Sequence, residues 1–223
     1  VITYDTKDQH ADYSASDIAY DEMGNATFEL LIHGRPSGQI RLSVNGIHNV
    51  SNALSAIAAA QLLDIPMEKI KEGLLSFTGT DRRFQYKGDK NGFHIVDDYA
   101  HHPTEIRATL RAAANYPHRE TWCIFQPHTY TRTKAFFHEF ADALSLADHV
   151  ILADIYAARE TDTLGMSSAL LAEELRTKGC DATYLPSFED IETFVLEHCK
   201  EDDLLITMGA GDVVNIGETL LSM

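Results

Sequence analysis

The chain has 223 residues, of which 44% are hydrophobic and 23% are charged, and its formal net charge at pH 7 is −16. The length allows one large domain or two smaller ones, and the hydrophobic content is sufficient for a core. So acidic a chain repels phosphate backbones, which argues against general nucleic-acid binding, and no apolar run approaches the roughly 20 residues of a membrane-spanning helix.

The first part of the chain predicts short strands followed by two helices. Residues 27–33 and 38–44 alternate between apolar and polar side chains, and residues 34–37 between them are typical of a hairpin turn. The period then changes, because residues 49–63 are rich in Ala and Leu at helical spacing. Residues 67–75 predict a second helix.

From residue 84 onward, the pattern predicts strands and helices in alternation. Such alternation is typical of an α/β fold with a mainly parallel sheet flanked by helices. The predicted strands are 93–96, 121–126, 149–153, 182–185 and 204–208, and the predicted helices are 103–114, 134–146, 167–178, 188–199 and one after Gly211.

Polar segments follow four of these strands. They are residues 97–103, 126–133, 154–160 and 209–212. Ligands in parallel sheets bind at the carboxyl ends of the strands, and those ends share one edge of the sheet. We therefore expect the four segments to converge on one site, which indicates an enzyme.

Some of these polar residues also fit other roles. Asp97, Asp98, His101 and His102 fit turn or helix-cap positions. A metal-dependent hydrolase built on His101, His102, His128 and Asp98 is a second alternative. Zinc needs three or four ligands at suitable spacing, and no His-x-His or His-x-x-x-His pattern supports it.

Amides and arginines form two further groups of interest. Asn49 and Asn52 are three residues apart and share one face of the predicted helix, where side-chain amides can bind a purine edge. Helix capping is the alternative for Asn49, but it does not explain Asn52. Arg82 and Arg83 fit a phosphate, an aromatic face or a solvated surface.

The Gly209-Ala210-Gly211 turn does not complete the Gly-x-Gly-x-x-Gly pattern of dinucleotide-binding folds, because Asp212-Val213-Val214 follows it. We interpret these glycines as permitting a tight turn from a strand into a helix. The exposed N–H groups of such a turn can hold an anion weakly.

Three widely spaced cysteines, Cys123, Cys180 and Cys199, form no Cys-x-x-Cys pair, which favours free thiols in the cytoplasm. Cys123 falls in an apolar run, so we predict a core residue and not a nucleophile. The chain starts at Val1, without Met and without the features of a signal peptide, so we expect it to be part of a longer protein.

Four of these segments, in this order and spacing, resemble the Mur ligase family, and the similarity covers the chain from about residue 40 onward. The segments are His48-Asn49-Val50-Ser51-Asn52-Ala53, Arg82-Arg83-Phe84, Asp97-Asp98-Tyr99-Ala100-His101-His102-Pro103 and Gly209-Ala210-Gly211. Within the family, residues 125–133 and 154–160 look like the members that add L-alanine. A muropeptide-recycling ligase shares the Asp97 to Pro103 motif and is the runner-up.

The resemblance implies an ATP-dependent ligase of peptidoglycan synthesis that joins L-alanine to the muramate carboxylate of UDP-N-acetylmuramate. It implies that residues 1–78 are the last part of a central ATP-binding domain and that residues 79–223 are a Rossmann-like domain, which moves about residues 77–81. This chain lacks a Gly-x-x-Gly-Lys-[Ser/Thr] phosphate loop. The loop lysine and the ligands of Mg²⁺ are therefore expected in missing amino-terminal domains, and this chain alone is expected to be inactive.

The resemblance also implies the residues that bind ATP. Asn49 and Asn52 flank the adenine, and Asp98 accepts hydrogen bonds from the ribose hydroxyls. Arg83 reaches ATP, with Arg82 as the weaker candidate. A nucleotide-binding module without catalysis stays an alternative.

The resemblance implies that four residues line the place where the acyl phosphate meets the amino acid. They are Tyr99, His101, His128 and Arg132. Arg132 can hold the alanine carboxylate through a bidentate pair. His101 or His128 can accept the proton of the attacking amine.

Overall fold

The computed structural model describes residues 1–8, 10–22, 24–162 and 164–223. The chain divides into two compact units, and each unit has its own hydrophobic core. The first unit comprises Val1–Gly79 and Arg111–Pro117, and the second comprises Thr80–Leu110 and His118–Met223.

The first unit contains a four-stranded sheet with the strand order β1-β2-β3-β4. Strands β1 and β2 pair in parallel, and the other pairs are antiparallel. The strands are β1 (Tyr4–Asp5), β2 (Tyr13–Tyr20), β3 (Asn25–Ile32) and β4 (Arg35–Asn45).

The predicted hairpin is confirmed, but its turn is shorter than predicted. Ile32 pairs directly with Arg35, and His33 and Gly34 make the turn with φ of 49° and 71°. Two positive φ angles are typical of the type I′ turn, whose twist matches that of the flanking strands. Pro36 lies in β4 because β4 is an edge strand of this sheet, where a missing N–H is tolerated.

Both predicted helices of this unit are confirmed, as α1 (Ile47–Leu62) and α2 (Met67–Ser76). Val50, Ala53, Leu54 and Ile57 of α1 are buried at helical spacing. Gly46 is the N-cap residue of α1, so the capping alternative for Asn49 is wrong.

The second unit contains a six-stranded sheet with the order β5-β6-β10-β7-β8-β9. All of its strands run parallel except β5, which pairs antiparallel with β6. The strands are β5 (Gln85–Lys90), β6 (Phe93–Asp98), β7 (Thr121–Phe125), β8 (His149–Leu152), β9 (Asp181–Tyr184) and β10 (Leu204–Met208). The mainly parallel sheet is as predicted, whereas β5 was not predicted.

Strands of this sheet alternate with helices, as predicted. The helices are α3 (Pro103–Ala113), α4 (Tyr130–Ala135), α5 (Phe137–Leu144), α6 (Ser168–Thr177), α7 (Phe188–His198) and α8 (Val214–Ser222). The predicted helix 134–146 is wrong in its extent. The region forms two helices that meet at Phe136, whose φ of −115° interrupts the helical backbone.

Central strands of this sheet are buried along their whole length, as expected where helices cover both faces. Cys123 of β7 is fully buried, and burial raises the pKa of its thiol, which confirms that it is a core residue. All three cysteines are free. Within the described residues, every helix is too short or too polar to cross a bilayer.

Candidate active site

The carboxyl ends of β6, β10, β7 and β8 are joined at one edge of the sheet. The N–H of Gly209 donates to the carbonyl oxygen of Asp98 at 3.0 Å, and the N–H of Gln126 donates to that of Met208 at 3.0 Å. The N–H of Ala153 donates to the carbonyl oxygen of Phe125 at 3.1 Å. The predicted convergence of the four polar segments is therefore confirmed.

Arg82 ties two of these strand ends together. Its Nε donates to Asp97 Oδ2 at 2.8 Å, and its two Nη atoms donate to the carbonyl oxygens of Gly209 and Gly211 at 2.8 and 3.2 Å. The Asp97 side chain is 1% exposed, and its Oδ1 accepts from the Thr207 hydroxyl at 2.7 Å. The hydrogen bonds of the Arg82 side chain thus stabilise the folded second unit.

Arg83, by contrast, is exposed. Its guanidinium carbon lies 5.8 Å from the centroid of the Tyr99 ring, and that of Arg82 lies 4.9 Å from the same centroid. A cation over an aromatic face is attracted by the ring. Tyr99 thereby holds Arg83 near the strand end while leaving the guanidinium open to solvent.

Asp98 is 4% exposed, and its oxygens accept hydrogen bonds within the unit. Oδ2 accepts from the N–H of Phe84 at 2.8 Å, and Oδ1 accepts from that of Ala100 at 2.7 Å. Thr109 contributes a further side-chain hydrogen bond. Burial raises the pKa of Asp98 in spite of these bonds. A carboxylate has about four acceptor positions, and these hydrogen bonds use three of them.

The glycines of residues 209–211 are required by close contacts. A Cβ on Gly211 would lie 2.2 Å from Gln126 Oε1 and 2.9 Å from the Tyr156 ring. Gln126 fixes this turn, because its Nε2 donates to Asp212 at 2.8 Å and its Oε1 accepts from the N–H of Val213 at 3.2 Å. Gln126 was not predicted as a site residue.

His101 is held in one tautomer. Its Nδ1 lies 2.9 Å from the carbonyl oxygen of Tyr99, and a carbonyl can only accept, so Nδ1 carries the hydrogen. In the neutral ring Nε2 is then the acceptor. Glu105 lies 3.5 Å from Nδ1 and accepts from the backbone N–H of His101 at 3.0 Å.

His102, beside it in the chain, has a structural role. Its Nδ1 accepts from the N–H of Thr104 at 3.3 Å, which caps the start of α3. Its ring also meets the edge of Phe136 with centroids 4.7 Å apart. The helix-cap alternative therefore applies to His102.

His128 lies between two aromatic neighbours. Its ring stacks on Tyr156 with centroids 5.5 Å apart, and the centroid of His101 lies 6.2 Å away. Burial lowers the pKa of His128, and electrostatic interactions with Arg132 and with the His101 ring lower it further, while Glu160 and the backbone of His128 itself raise it in part. Its Nδ1 is buried and has no hydrogen-bond partner within the described residues.

Arg132 of α4 is the second site residue with an unsatisfied buried atom. Its Nη1 is buried and finds no partner in the part of the chain that the structure describes. Buried polar atoms are nearly always hydrogen-bonded in folded proteins, so two such nitrogens at one sheet edge indicate a place for a ligand. Both His128 and Arg132 were predicted from the sequence.

Asn49 and Asn52 lie on α1 in the first unit. Asn49 is half-buried and its Nδ2 donates to the carbonyl oxygen of Asn45 at 2.8 Å. Asn52 is exposed and its Nδ2 donates to Asn49 Oδ1 at 3.1 Å. The predicted shared face is confirmed, and Asn52 presents its side-chain carbonyl to solvent.

The structure offers no support for the metal-dependent hydrolase. Outside Gln9, Met23 and Thr163, which it does not describe, no three His, Cys, Asp or Glu side chains come together as ligands for a metal ion.

Comparisons with known proteins identify the family of this chain. Residues 82–211 match the family model of the Mur ligase, glutamate ligase domain. A UDP-N-acetylmuramate–L-alanine ligase of Lachnospira eligens is 58% identical over 221 residues, which are 99% of this chain and 48% of that protein. The chain thus spans about half the length of the curated relatives it matches.

Solved structures also match this chain. The UDP-N-acetylmuramate–alanine ligase of Thermotoga maritima matches with a TM-score of 0.83 and 26% identity, covering 99% of this chain and 47% of that one. A murein peptide ligase of Psychrobacter arcticus matches with a TM-score of 0.65 and 28% identity, covering 98% and 45%. With more than half of its residues inside the family model and its polar strand ends gathered at one edge, the chain belongs to the Mur ligase family.

Proposed function

We propose that this chain is the carboxy-terminal part of an ATP-dependent ligase that joins L-alanine to the muramate carboxylate of UDP-N-acetylmuramate in peptidoglycan precursor synthesis. The relatives that match it at 58% and 55% identity carry the name of that activity. The observation that carries the proposal is the pair of buried, unpartnered nitrogens on His128 and Arg132, counted over the described residues, beside the fixed tautomer of His101.

The chemistry requires three things of the protein. A carboxylate is a poor acceptor for an amine, so the γ-phosphate of ATP is first transferred to it and gives an acyl phosphate. The neutral amine of L-alanine then attacks the acyl carbon, and the tetrahedral intermediate expels phosphate. The protein must hold the amino acid, accept the amine proton and stabilise negative charge.

We assign the proton acceptor to His101 or His128. His101 presents Nε2 as an acceptor because Nδ1 donates to the Tyr99 carbonyl oxygen. His128 has a lowered pKa, so its ring is neutral at pH 7 and can take a proton. Tyr99 packs edge-on against His101 with centroids 5.3 Å apart and keeps that ring in place.

Arg132 is assigned to the carboxylate of L-alanine. A guanidinium pairs with a carboxylate through two parallel hydrogen bonds, and such a pair orients the substrate as well as binding it. The buried Nη1 of Arg132, which has no partner among the residues described, is a donor that this pair would satisfy.

For ATP, we assign Asn49 and Asn52 to the adenine and Arg83 to the phosphates. Arg83 is favoured over Arg82, whose donors are engaged by Asp97 and the turn after β10. We also assign Asp98 to accept a hydrogen bond from a ribose hydroxyl of ATP.

Magnesium would neutralise the phosphate charges during the transfer. This chain does not offer it a complete site in the residues described, since no three candidate side chains converge. We therefore assign the magnesium ligands, like the phosphate loop, to the part of the protein outside this chain.

The domain assignment of residues 1–78 to the central ATP-binding domain and of residues 79–223 to the Rossmann-like domain is part of the same proposal. We also propose that the reaction takes place in the cytoplasm, which is consistent with three free thiols.

Turnover by the full-length protein tests the proposal. Phosphate release is expected to require ATP, UDP-N-acetylmuramate and L-alanine together. Replacing L-alanine with a tripeptide distinguishes an L-alanine-adding ligase from a muropeptide-recycling ligase, because the recycling ligase would use the tripeptide. Nucleotide binding without phosphate release under any of these conditions would indicate a nucleotide-binding module without catalysis and would contradict the proposed function.

A further inference from the structure

Glu160, in the loop after β8, holds the start of α4. Its Oε2 accepts from the N–H of Thr131 at 3.0 Å, and its Oε1 accepts from the Thr131 hydroxyl at 2.5 Å. The N–H of Tyr130 also contributes, and these bonds lower the pKa of Glu160. The first N–H groups of a helix have no partner inside the helix, so a carboxylate from another segment satisfies them.

A second link between the same two segments lies at Tyr156. The N–H of Thr129 donates to the carbonyl oxygen of Tyr156 at 2.9 Å, and the N–H of Tyr156 donates to that of Pro127 at 2.8 Å. Residues 127–133 and 154–160 are therefore joined at two places along their length.

The backbone between these links is strained. Thr129 has a φ of 68°, a conformation that β-branched residues rarely adopt. Such a conformation persists only where the surroundings impose it. The two links supply that constraint, and the strained residue lies directly between His128 and the helix that carries Arg132.

We propose that Glu160 is a positioning residue, which fixes α4 so that Arg132 and His128 point into the site in the geometry that L-alanine requires. The inference rests on the proposed function. Glu160 makes its contacts with Thr131 and Tyr130, and it acts on the site through the helix that it holds and through its charge near His128.

The charge of Glu160 has a second effect. It raises the pKa of His128, opposing the lowering by Arg132 and His101. Removing the charge should therefore move the titration of His128 to lower pH. A residue with a merely structural role on a distant surface would not move it.

The test compares four variants of the full-length protein: Glu160→Gln, Glu160→Ala, Thr131→Val and Glu139→Gln. Glu160→Gln keeps the shape and one acceptor oxygen, Thr131→Val removes one of the donors, and Glu139→Gln is the matched control on the exposed surface of α5. Steady-state kinetics at saturating ATP and UDP-N-acetylmuramate give KM and kcat for L-alanine, and hydrogen exchange reports the backbone of residues 127–135.

For Glu160→Ala, we expect KM for L-alanine to rise on the order of tenfold or more, because misplaced binding groups weaken the productive geometry. Glu160→Gln and Thr131→Val should give smaller rises, and Glu139→Gln none. The acid limb of kcat/KM should move to lower pH in Glu160→Gln. Faster exchange of the Tyr130 and Thr131 amides should accompany these changes.

Unchanged KM for L-alanine and an unmoved acid limb in folded Glu160→Gln would overturn the inference. If the unmodified protein shows no turnover with L-alanine, the proposed function fails on its own. Hydrogen exchange then still decides whether Glu160 holds α4, because equal protection in Glu160→Gln and the unmodified protein would remove that role.

Discussion

Two sides of the same sheet edge use their polar groups differently. On the side formed by the ends of β6 and β10, Arg82 and Asp97 satisfy each other and the turn at Gly209 to Gly211. On the side formed by the ends of β7 and β8, His128 and Arg132 keep buried nitrogens without partners, as far as the described residues go. The first arrangement stabilises the fold, and the second leaves capacity for a substrate.

The difference follows from the cost of unsatisfied groups. A buried donor without a partner costs free energy unless a ligand supplies the missing hydrogen bond. Substitutions of Arg82 or Asp97 should therefore affect stability, and substitutions of His128 or Arg132 should affect substrate binding.

The largest expected effect is on stability. Asp97→Ala leaves Arg82 without its carboxylate at a buried position and should lower the free energy of unfolding by about 3 kcal/mol. Asp89→Ala is the control, because Asp89 forms an exposed pair with His94 whose loss should cost less than about 1 kcal/mol. Denaturant unfolding measures both, and equal losses would contradict the contrast between the two sides.

Arg132→Ala should show the opposite behaviour. It removes a guanidinium that the fold does not satisfy fully, so the free energy of unfolding should change little, while KM for L-alanine rises about a hundredfold. Arg159→Ala, on the exposed part of the neighbouring segment, is the control for charge alone. A destabilised Arg132→Ala protein with normal KM would place Arg132 among the structural groups.

Gly211→Ala tests the point where the two sides meet. The added methyl group would overlap Gln126 Oε1 and the Tyr156 ring, so we expect a loss of about 1–3 kcal/mol in the free energy of unfolding. Gly165→Ala is a control for left-handed backbone strain without a contact, since Gly165 has a φ of 63° and nothing within 4 Å of its Cβ position. A loss below about 1 kcal/mol for Gly211→Ala would show that Gln126 and Tyr156 yield easily.

Much of this architecture was predictable because it depends on local patterns. The apolar spacing of α1 and the alternation of strands and helices predicted the two main structural regions. Strand β5 escaped prediction because Gln85–Lys90 is polar and lies at the sheet edge, where pairing with β6 and not apolar alternation defines it. The division between α4 and α5 depends on the backbone of one residue, Phe136.

The position of the site was predictable from the sequence, but the roles of its individual residues were not. The rule on parallel strand ends predicted which segments converge. It could not say that Arg82 is engaged internally while Arg83 is exposed, because the carbonyl group of Gly209 that binds Arg82 lies 127 residues away in the chain. In the same way, only the structure separates His101, whose Nδ1 faces the Tyr99 carbonyl oxygen, from His102, which caps α3.

The pH dependence of His128 should be the smallest of these effects. Its pKa in the folded protein is lowered below the ordinary value of 6.5, so the unfolded chain binds more protons just below pH 6.5. The contribution of His128 to stability is therefore complete above pH 6.5 and is lost as the pH falls through the lowered pKa.

The same neutral ring is the form that accepts a proton, so the acid limb of kcat/KM should also lie below pH 6.5. Titration of the His128 ring by NMR measures this pKa directly. A His128 pKa above 6.5 would mean that Glu160 outweighs burial and Arg132, and the proton acceptor would then be sought at His101.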